Sequence, residues 1–276
     1  MTVSPSDGGG PHAPYPLTGR TAVVTGGSLG IGVAVAARLA ANGVRTAILA
    51  RDADRLSAAA DRLSVPGCPV LPVPCDLSNF SETQRALDVA RVALGSVDVL
   101  VNNAAVSAPL GATSTINSAS WAANLAVNLT GAMSCILTVL PAMLEAGFGR
   151  LLNVSSGAAG GAGMPSGNAY SVSKAGLEML TRNLAAEVAG TGVTINAVRP
   201  GRVDTPMQEF LRSQSVDMVG LALHSKVWGF LEASELLDPA VPATLISRVL
   251  ASSLNGEVIS VYDDQGRALL GNSAGP

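Results

Sequence analysis

From Thr21 onward, short β-branched and aliphatic runs alternate with Ala- and Leu-rich stretches of helical periodicity, and this alternation constrains the fold more than any other feature. Strands are expected over 21–25, 46–50, 70–75, 97–101, 150–154, 193–198 and 257–261, with helices near 30–42, 53–63, 81–93, 118–146, 169–190 and 240–252. The first strands are continuous apolar runs, the pattern of strands covered on both faces. Repeated strand–helix–strand units need right-handed crossovers, so the expected fold is α/β, a Rossmann-type doubly wound parallel sheet of about seven strands with helices on both faces. No composition break marks a second domain. Residues 1–16 read as a flexible Gly/Pro/Ser-rich tail without a signal-peptide pattern, and His12 within it is given no role. Residues 17–276 read as one domain, interrupted near 205–238 by an insertion of mixed polarity.

A net charge of −3 gives no support for nucleic-acid or membrane-surface binding. The apolar stretches are broken before 18 residues, so no membrane span is expected. Cys68, Cys75 and Cys135 are odd in number and show no metal-ligand spacing, which fits reduced cysteines in the cytoplasm and no metal site.

The run Thr25-Gly-Gly-Ser-Leu-Gly-Ile-Gly32 links the first strand to the first helix. Gly26, Gly30 and Gly32 let the backbone turn tightly and approach a pyrophosphate, which the helix N-terminus attracts with free N–H groups and a positive dipole end. At the end of the second strand stand Arg51 and Asp52. An Arg there suits a 2′-phosphate and NADP (NADPH); an acidic residue there suits the ribose of NAD, which is less favoured but stays open through Asp52. Tyr170 and Lys174 lie four apart on an expected helix and so share a face, where the ammonium would draw the phenol pKa down towards the range of a proton donor. A Tyr so tuned exchanges a proton with an alcohol oxygen.

These motifs, with Cys75-Asp76-Leu77, Asn102-Asn103-Ala104-Ala105, Val127-Asn128-Leu129-Thr130-Gly131, Asn153-Val154-Ser155-Ser156 and Arg199-Pro200-Gly201 through Thr205, resemble those of the short-chain dehydrogenases/reductases, in the compact single-domain branch. The likeness runs from Thr21 to about Met207 and more loosely to Val261. It implies a cofactor site drawn from Gly26, Ser28, Leu29, Gly30, Ile31, Gly32, Arg51, Asp76, Leu77, Asn103, Ala104, Ala105, Tyr170, Lys174, Pro200, Gly201, Val203 and Thr205. It further implies Tyr170 as general acid or base, Lys174 on the nicotinamide ribose, Ser156 on the substrate oxygen and Asn128 holding a water in a proton relay. Ser155 stays an alternative to Ser156, because the family places its Ser one residue closer to the Tyr; an extra residue in the Gly-rich segment 157–167 would reconcile the spacing. Asn128 has an alternative role too, satisfying backbone groups at a helix irregularity.

The likeness implies an NADP-dependent oxidoreductase acting on a ketone or secondary alcohol and associating as a homodimer or homotetramer through the helices near 118–146 and 169–190. Alternatives are an NAD-dependent dehydrogenase, a nucleotide-sugar epimerase or dehydratase, and a dinucleotide-binding regulator without turnover. Leu177, Leu180, Leu184 and Val188 form an apolar stripe read as core more than interface. In the insertion, Phe210, Leu211, Met218, Leu221, His224, Trp228 and Phe230 are candidates for an apolar lid over an organic substrate, each with simple packing as its alternative. The C-terminal strand departs from the family's turn at Tyr262-Asp263-Asp264-Gln265-Gly266.

Overall fold

A computed structural model describes residues 17–161 and 163–271; the expected N-terminal tail lies outside them. Seven strands, β1 (Thr21–Thr25), β2 (Arg45–Ala50), β3 (Leu71–Pro74), β4 (Val99–Asn102), β5 (Gly149–Val154), β6 (Val193–Arg199) and β7 (Val258–Ser260), form one sheet in the order β3-β2-β1-β4-β5-β6-β7. Every pairing is parallel. The chain winds outward from β1 to β3 and then returns to build β4 to β7 on the other side. The order therefore reverses between β1 and β4, and the crevice at the carboxyl ends of those strands is where such sheets bind ligands.

Side chains alternate across the sheet, so β1 sends Ala22 and Val24 into one core and Val23 into the other. The first core packs under α1 (Gly30–Ala41), α2 (Ala53–Leu63) and α9 (Ala240–Leu250), through Leu39, Leu56 and Ile246. The second packs under α3 (Phe80–Leu94), α5 (Ala132–Glu145) and α6 (Asn168–Glu187), through Leu87, Ile136 and Leu184. Of the predicted stripe, Leu177, Leu184 and Val188 are buried, as a core stripe should be.

Four sequence expectations change. The helix expected over 118–146 is α4 (Ser118–Leu125), a π-helical turn over Ala126–Gly131, and α5. Taken as one run, Ser118–Glu145 is long and apolar enough to cross a bilayer, contrary to the expectation of none. It packs instead on α3 and α6, and it carries the buried amides Asn124 and Asn128, so it reads as a core helix of the sheet. Strand β3 is an edge strand one residue shorter than expected at each end; the Cys75 amide just past it still donates to the Ala50 carbonyl at 2.9 Å, and Pro72 and Pro74, which have no N–H, alternate with the residues that face β2. Strand β7 stops at Ser260, where Asp263 accepts from the Gly266 amide at 2.6 Å and caps an unexpected helix, α10 (Asp264–Leu270). The insertion folds as α7 (Pro206–Arg212) and α8 (Val216–Glu232), the latter kinked at Gly220, whose φ is +75°.

Candidate active site

Above the switch point lies a cleft of about 720 Å³, lined by the ends of β1, β2, β4 and β5, by α6 and by the start of α7. Its floor is the glycine turn. A Cβ on Gly32 would stand 2.2 Å from the Gly26 carbonyl oxygen, and one on Gly26 would stand 2.8 Å from the Ala104 Cα. Gly26 and Gly30 also hold positive φ. The Asn103 amide braces the turn, donating to the carbonyls of Thr25 at 3.0 Å and Gly26 at 3.2 Å.

Helix α1 then starts at Gly30, with Leu29 at its N-cap offering no side-chain cap and no acid in its first turn. Helices α2, α3 and α4 differ: Asp52, Asn79 and Asn117 accept their first amides. An uncapped N-terminus facing a cleft over a cradle that no Cβ could enter fits the pyrophosphate of a dinucleotide.

At the β2 end of the cleft, Arg51 is exposed and lines the wall beside Arg55. Asp52 accepts from the Arg55 amide at 2.9 Å and pairs with the Arg55 guanidinium at 3.2 Å, so its carboxylate serves as a helix cap. Asp76 accepts from the amide and hydroxyl of Ser78 at 2.9 and 2.8 Å. That amide, with the Ser78 hydroxyl and the charge of Arg51, holds its carboxyl below the usual range against the effect of burial.

At the β5 end, α6 presents Tyr170 and Lys174. The Tyr170 hydroxyl faces Ser156, which is near enough to pull the phenol pKa down, and the Ser156 Oγ accepts from the Ala158 amide at 3.1 Å. Ser155 lines the cleft, but its hydroxyl is committed to Glu178, to which it donates at 2.7 Å. In the segment 157–167, where an extra residue would reconcile the spacing, Gly161, Gly163 and Ser166 adopt positive φ. Lys174 is buried and donates to the Val154 carbonyl at 2.7 Å; its Nζ lies 5.9 Å from the Tyr170 ring centroid.

This geometry corrects the expected tuning. Burial pushes the Tyr170 hydroxyl up, with Ser156 pulling it partly back, so the phenol keeps its proton near neutrality. Burial also depresses Lys174, to about 8. The ammonium is hydrogen-bonded to a backbone carbonyl and not to the phenol oxygen, and for the phenol the effect of burial is the larger one.

Asn128 sits buried in the π-helical turn with its amide committed. It donates to the Val106 carbonyl (2.9 Å), Asn124 (3.0 Å) and Ser173 (3.1 Å), and its oxygen accepts from the Val106 amide (2.8 Å). The side chain clamps the loop after β4 to α4 and α6. Its two amide hydrogens are shared among these three acceptors, an arrangement that fits the alternative of satisfying groups around a helix irregularity.

Gly32, Asn128, Ser156, Gly201 and Val203 lie behind or beside the cleft wall, and the other expected cofactor residues line it. Gly201, at φ +82°, packs where a Cβ would meet Val261 at 2.6 Å and Tyr262 at 2.9 Å. Of the expected lid residues only Phe210 lines the cleft, joined by Met207. Leu211 packs with Val219, Leu223 and Val227; Phe230 lies under Arg202 at 4.3 Å; Trp228 stands beside His224; Met218 and Leu221 are exposed. Sequence reading missed Arg55, Val106 and Ala108 in the wall. The available signal for the first was its place just past Arg51, in the first turn of the helix that follows β2.

Residues 20–216 match the family model for short chain dehydrogenases. A candidate ketoacyl reductase 1 of the granaticin polyketide synthase from Streptomyces violaceoruber is 41% identical over 193 residues, covering 69% of this chain and 70% of that protein. A 2-dehydro-3-deoxy-L-rhamnonate dehydrogenase (NAD(+)) from a Sphingomonas species is 34% identical over 216 residues, covering 78% and 85%. The solved structure of a variant actinorhodin polyketide ketoreductase with NADPH superposes with a TM-score of 0.79 at 31% identity, covering 88% of this chain and 95% of that one. The chain therefore belongs to the short-chain dehydrogenase/reductase family and is an oxidoreductase.

Proposed function

We propose that this enzyme is an NADP-dependent ketoreductase, with residues 17–276 acting as one catalytic domain on a ketone or secondary alcohol of an apolar or bulky organic substrate. The observation that carries the reading is the pair Tyr170 and Lys174, which line one end of the cleft together from α6, with Ser156 beside the wall next to the Tyr170 hydroxyl. When bound, the nicotinamide supplies or accepts the hydride. Tyr170, still protonated near neutral pH, gives its proton to the carbonyl oxygen, and Ser156 donates a hydrogen bond to the same oxygen as negative charge develops there. Lys174 and Thr205 are positioned to hold the nicotinamide end, and the uncapped start of α1 takes the phosphates. At the substrate end the wall offers Val106, Ala108, Met207 and Phe210, while Arg51, Asp52, Arg55 and Asp76 all gather at the adenine end. That division favours a substrate uncharged around its carbonyl.

The preference for NADP rests on Arg51 and Arg55, with Asp52 already spent as a cap. Titration with both reduced cofactors beside turnover of a panel of neutral ketones tests the whole reading. In Arg51→Ala, losing a charge-assisted bond worth about 1.5–3 kcal/mol weakens NADPH binding roughly ten- to hundredfold. NADH binding stays within about twofold. Equal losses for both cofactors would remove the 2′-phosphate from the argument, and NADPH binding without turnover of any ketone would favour the regulator.

The buried Lys174 gives the same titration a pH dependence. Below about 8 the free enzyme carries the ammonium, and as pH rises through that value the proton is lost. If the charged form holds the cofactor, the NADPH Kd is flat below about 8 and rises above it by up to about tenfold per pH unit. A Kd unchanged to about pH 9 would show that Lys174 acts without its charge.

We further propose a homodimer or homotetramer built on α5 and α6, since Leu137, Leu144, Val172 and Met179 are exposed on them. The buried free thiols Cys68, Cys75 and Cys135 support a reducing, cytoplasmic setting.

A further inference from the structure

Glu178 is a buried acid with no part in the chemistry above. It stands one turn beyond Lys174 on α6, and its side chain is 4% exposed. Arg199 Nε and Nη2 donate to its two oxygens, both at 2.7 Å, and the Ser155 hydroxyl donates to Oε1 at 2.7 Å. Arg182, exposed on α6, adds a looser contact at 4.0 Å. The carboxylate thereby ties three segments together. Ser155 immediately follows β5, between Val154, whose carbonyl holds Lys174, and Ser156, which faces Tyr170. Arg199 ends β6 immediately before Pro200, which lines the cleft. The Arg199 guanidinium also lies against the loop that follows Ser156, where a Cβ on Gly160 would stand 3.1 Å from Nη2.

We propose that Glu178 is a positioning residue of the reaction, its carboxylate fixing α6 against the ends of β5 and β6 so that Tyr170, Ser156 and Lys174 meet the nicotinamide end of the cleft in register. This rests on the ketoreductase reading. A planar two-point pair to Arg suits the task because it fixes orientation as well as distance, which a single bond does not. None of the three residues is needed for burial as such, since apolar side chains would fill the site without an ion pair.

The test is Glu178→Gln, which keeps the shape and puts an amide donor where Arg199 must donate. Kinetics are normalised to the folded fraction measured by NADPH stoichiometry. The expected result is a fall in kcat of at least about tenfold, with the NADPH Kd within about twofold because the phosphate and adenine contacts are intact. The emission gain of bound NADPH, which senses the nicotinamide's surroundings, falls in parallel. The paired variant Glu178→Gln with Arg199→Gln, which leaves no charge unpaired, recovers the melting temperature and not the turnover. A variant that melts lower but turns over normally per folded site would make Glu178 a structural brace only and overturn the proposal. If the wild type binds NADPH but reduces no ketone, the ketoreductase reading fails, and the emission of bound NADPH still decides whether Glu178 positions the nicotinamide end. A wild type that does not bind NADPH overturns both.

Discussion

Tyr170→Phe is expected to lower kcat for ketone reduction by about 10²- to 10⁴-fold, the range attributable to a positioned proton donor, while the NADPH Kd stays within about twofold. The ring is retained and only the hydroxyl goes, together with its contact with Ser156. Losing one partly buried hydrogen bond costs about 0.5–1.5 kcal/mol of stability, so the variant folds. The loss falls on the step in which the carbonyl oxygen gains its proton, and the phosphate cradle at the start of α1 is untouched. Burial keeps the phenol protonated, so in the direction of reduction the wild-type rate needs no deprotonation of Tyr170 first. Alcohol oxidation, which needs the phenolate as base, is correspondingly favoured by higher pH. Stopped-flow measurement of NADPH consumption against a good ketone separates the two steps. A variant retaining more than about a tenth of the wild-type rate would remove Tyr170 from proton transfer.

The parts of this site that were readable in advance are those encoded within a few residues of each other. The turn from Thr25 to Gly32 is local: its glycines, its strand and its helix are contiguous, and the structure gives each the expected conformation. The Tyr170–Lys174 spacing is local as well, and a helix does put both on one face. The direction of the Lys174 ammonium was not readable, because its partner is the carbonyl of Val154 on a strand 20 residues earlier. The expected fall in the phenol pKa became a rise, because for the phenol the effect of burial is the larger one. Asn128 shows the same limit: the motif was legible, and the four bonds that commit its amide come from the loop after β4 and from two helices. Glu178 carried no local signal, since its partners Ser155 and Arg199 come from two other strands. Composition misled in the lid, where most of the apolar residues pack on one another or face outward and Phe210 alone reaches the cleft.

Gly32→Ala is expected to abolish measurable NADPH binding and to lower the melting temperature, although it adds one methyl group. The new Cβ would stand 2.2 Å from the Gly26 carbonyl oxygen, 2.8 Å from its carbon and 2.5 Å from the Asn103 Nδ2. Two of these are backbone atoms, so no rotamer change relieves them, and the turn itself must move. Overpacking of this kind costs about 1–3 kcal/mol or more. The movement opens the bonds from Asn103 to Thr25 and Gly26, and it shifts the free amides of α1 away from the phosphate position. Binding energy that depends on several amides pointing at one anion is lost together, so affinity falls further than stability. Gly229→Ala is the matched control: it lies in α8, where an added Cβ meets nothing within 4 Å. Its higher helix propensity should hold or raise stability by up to about 1 kcal/mol, with binding unchanged. Calorimetric titration with NADPH beside thermal melts of both variants checks the pair. If Gly32→Ala bound NADPH within about twofold of wild type, the cradle between Gly26 and the start of α1 could not be where the pyrophosphate sits.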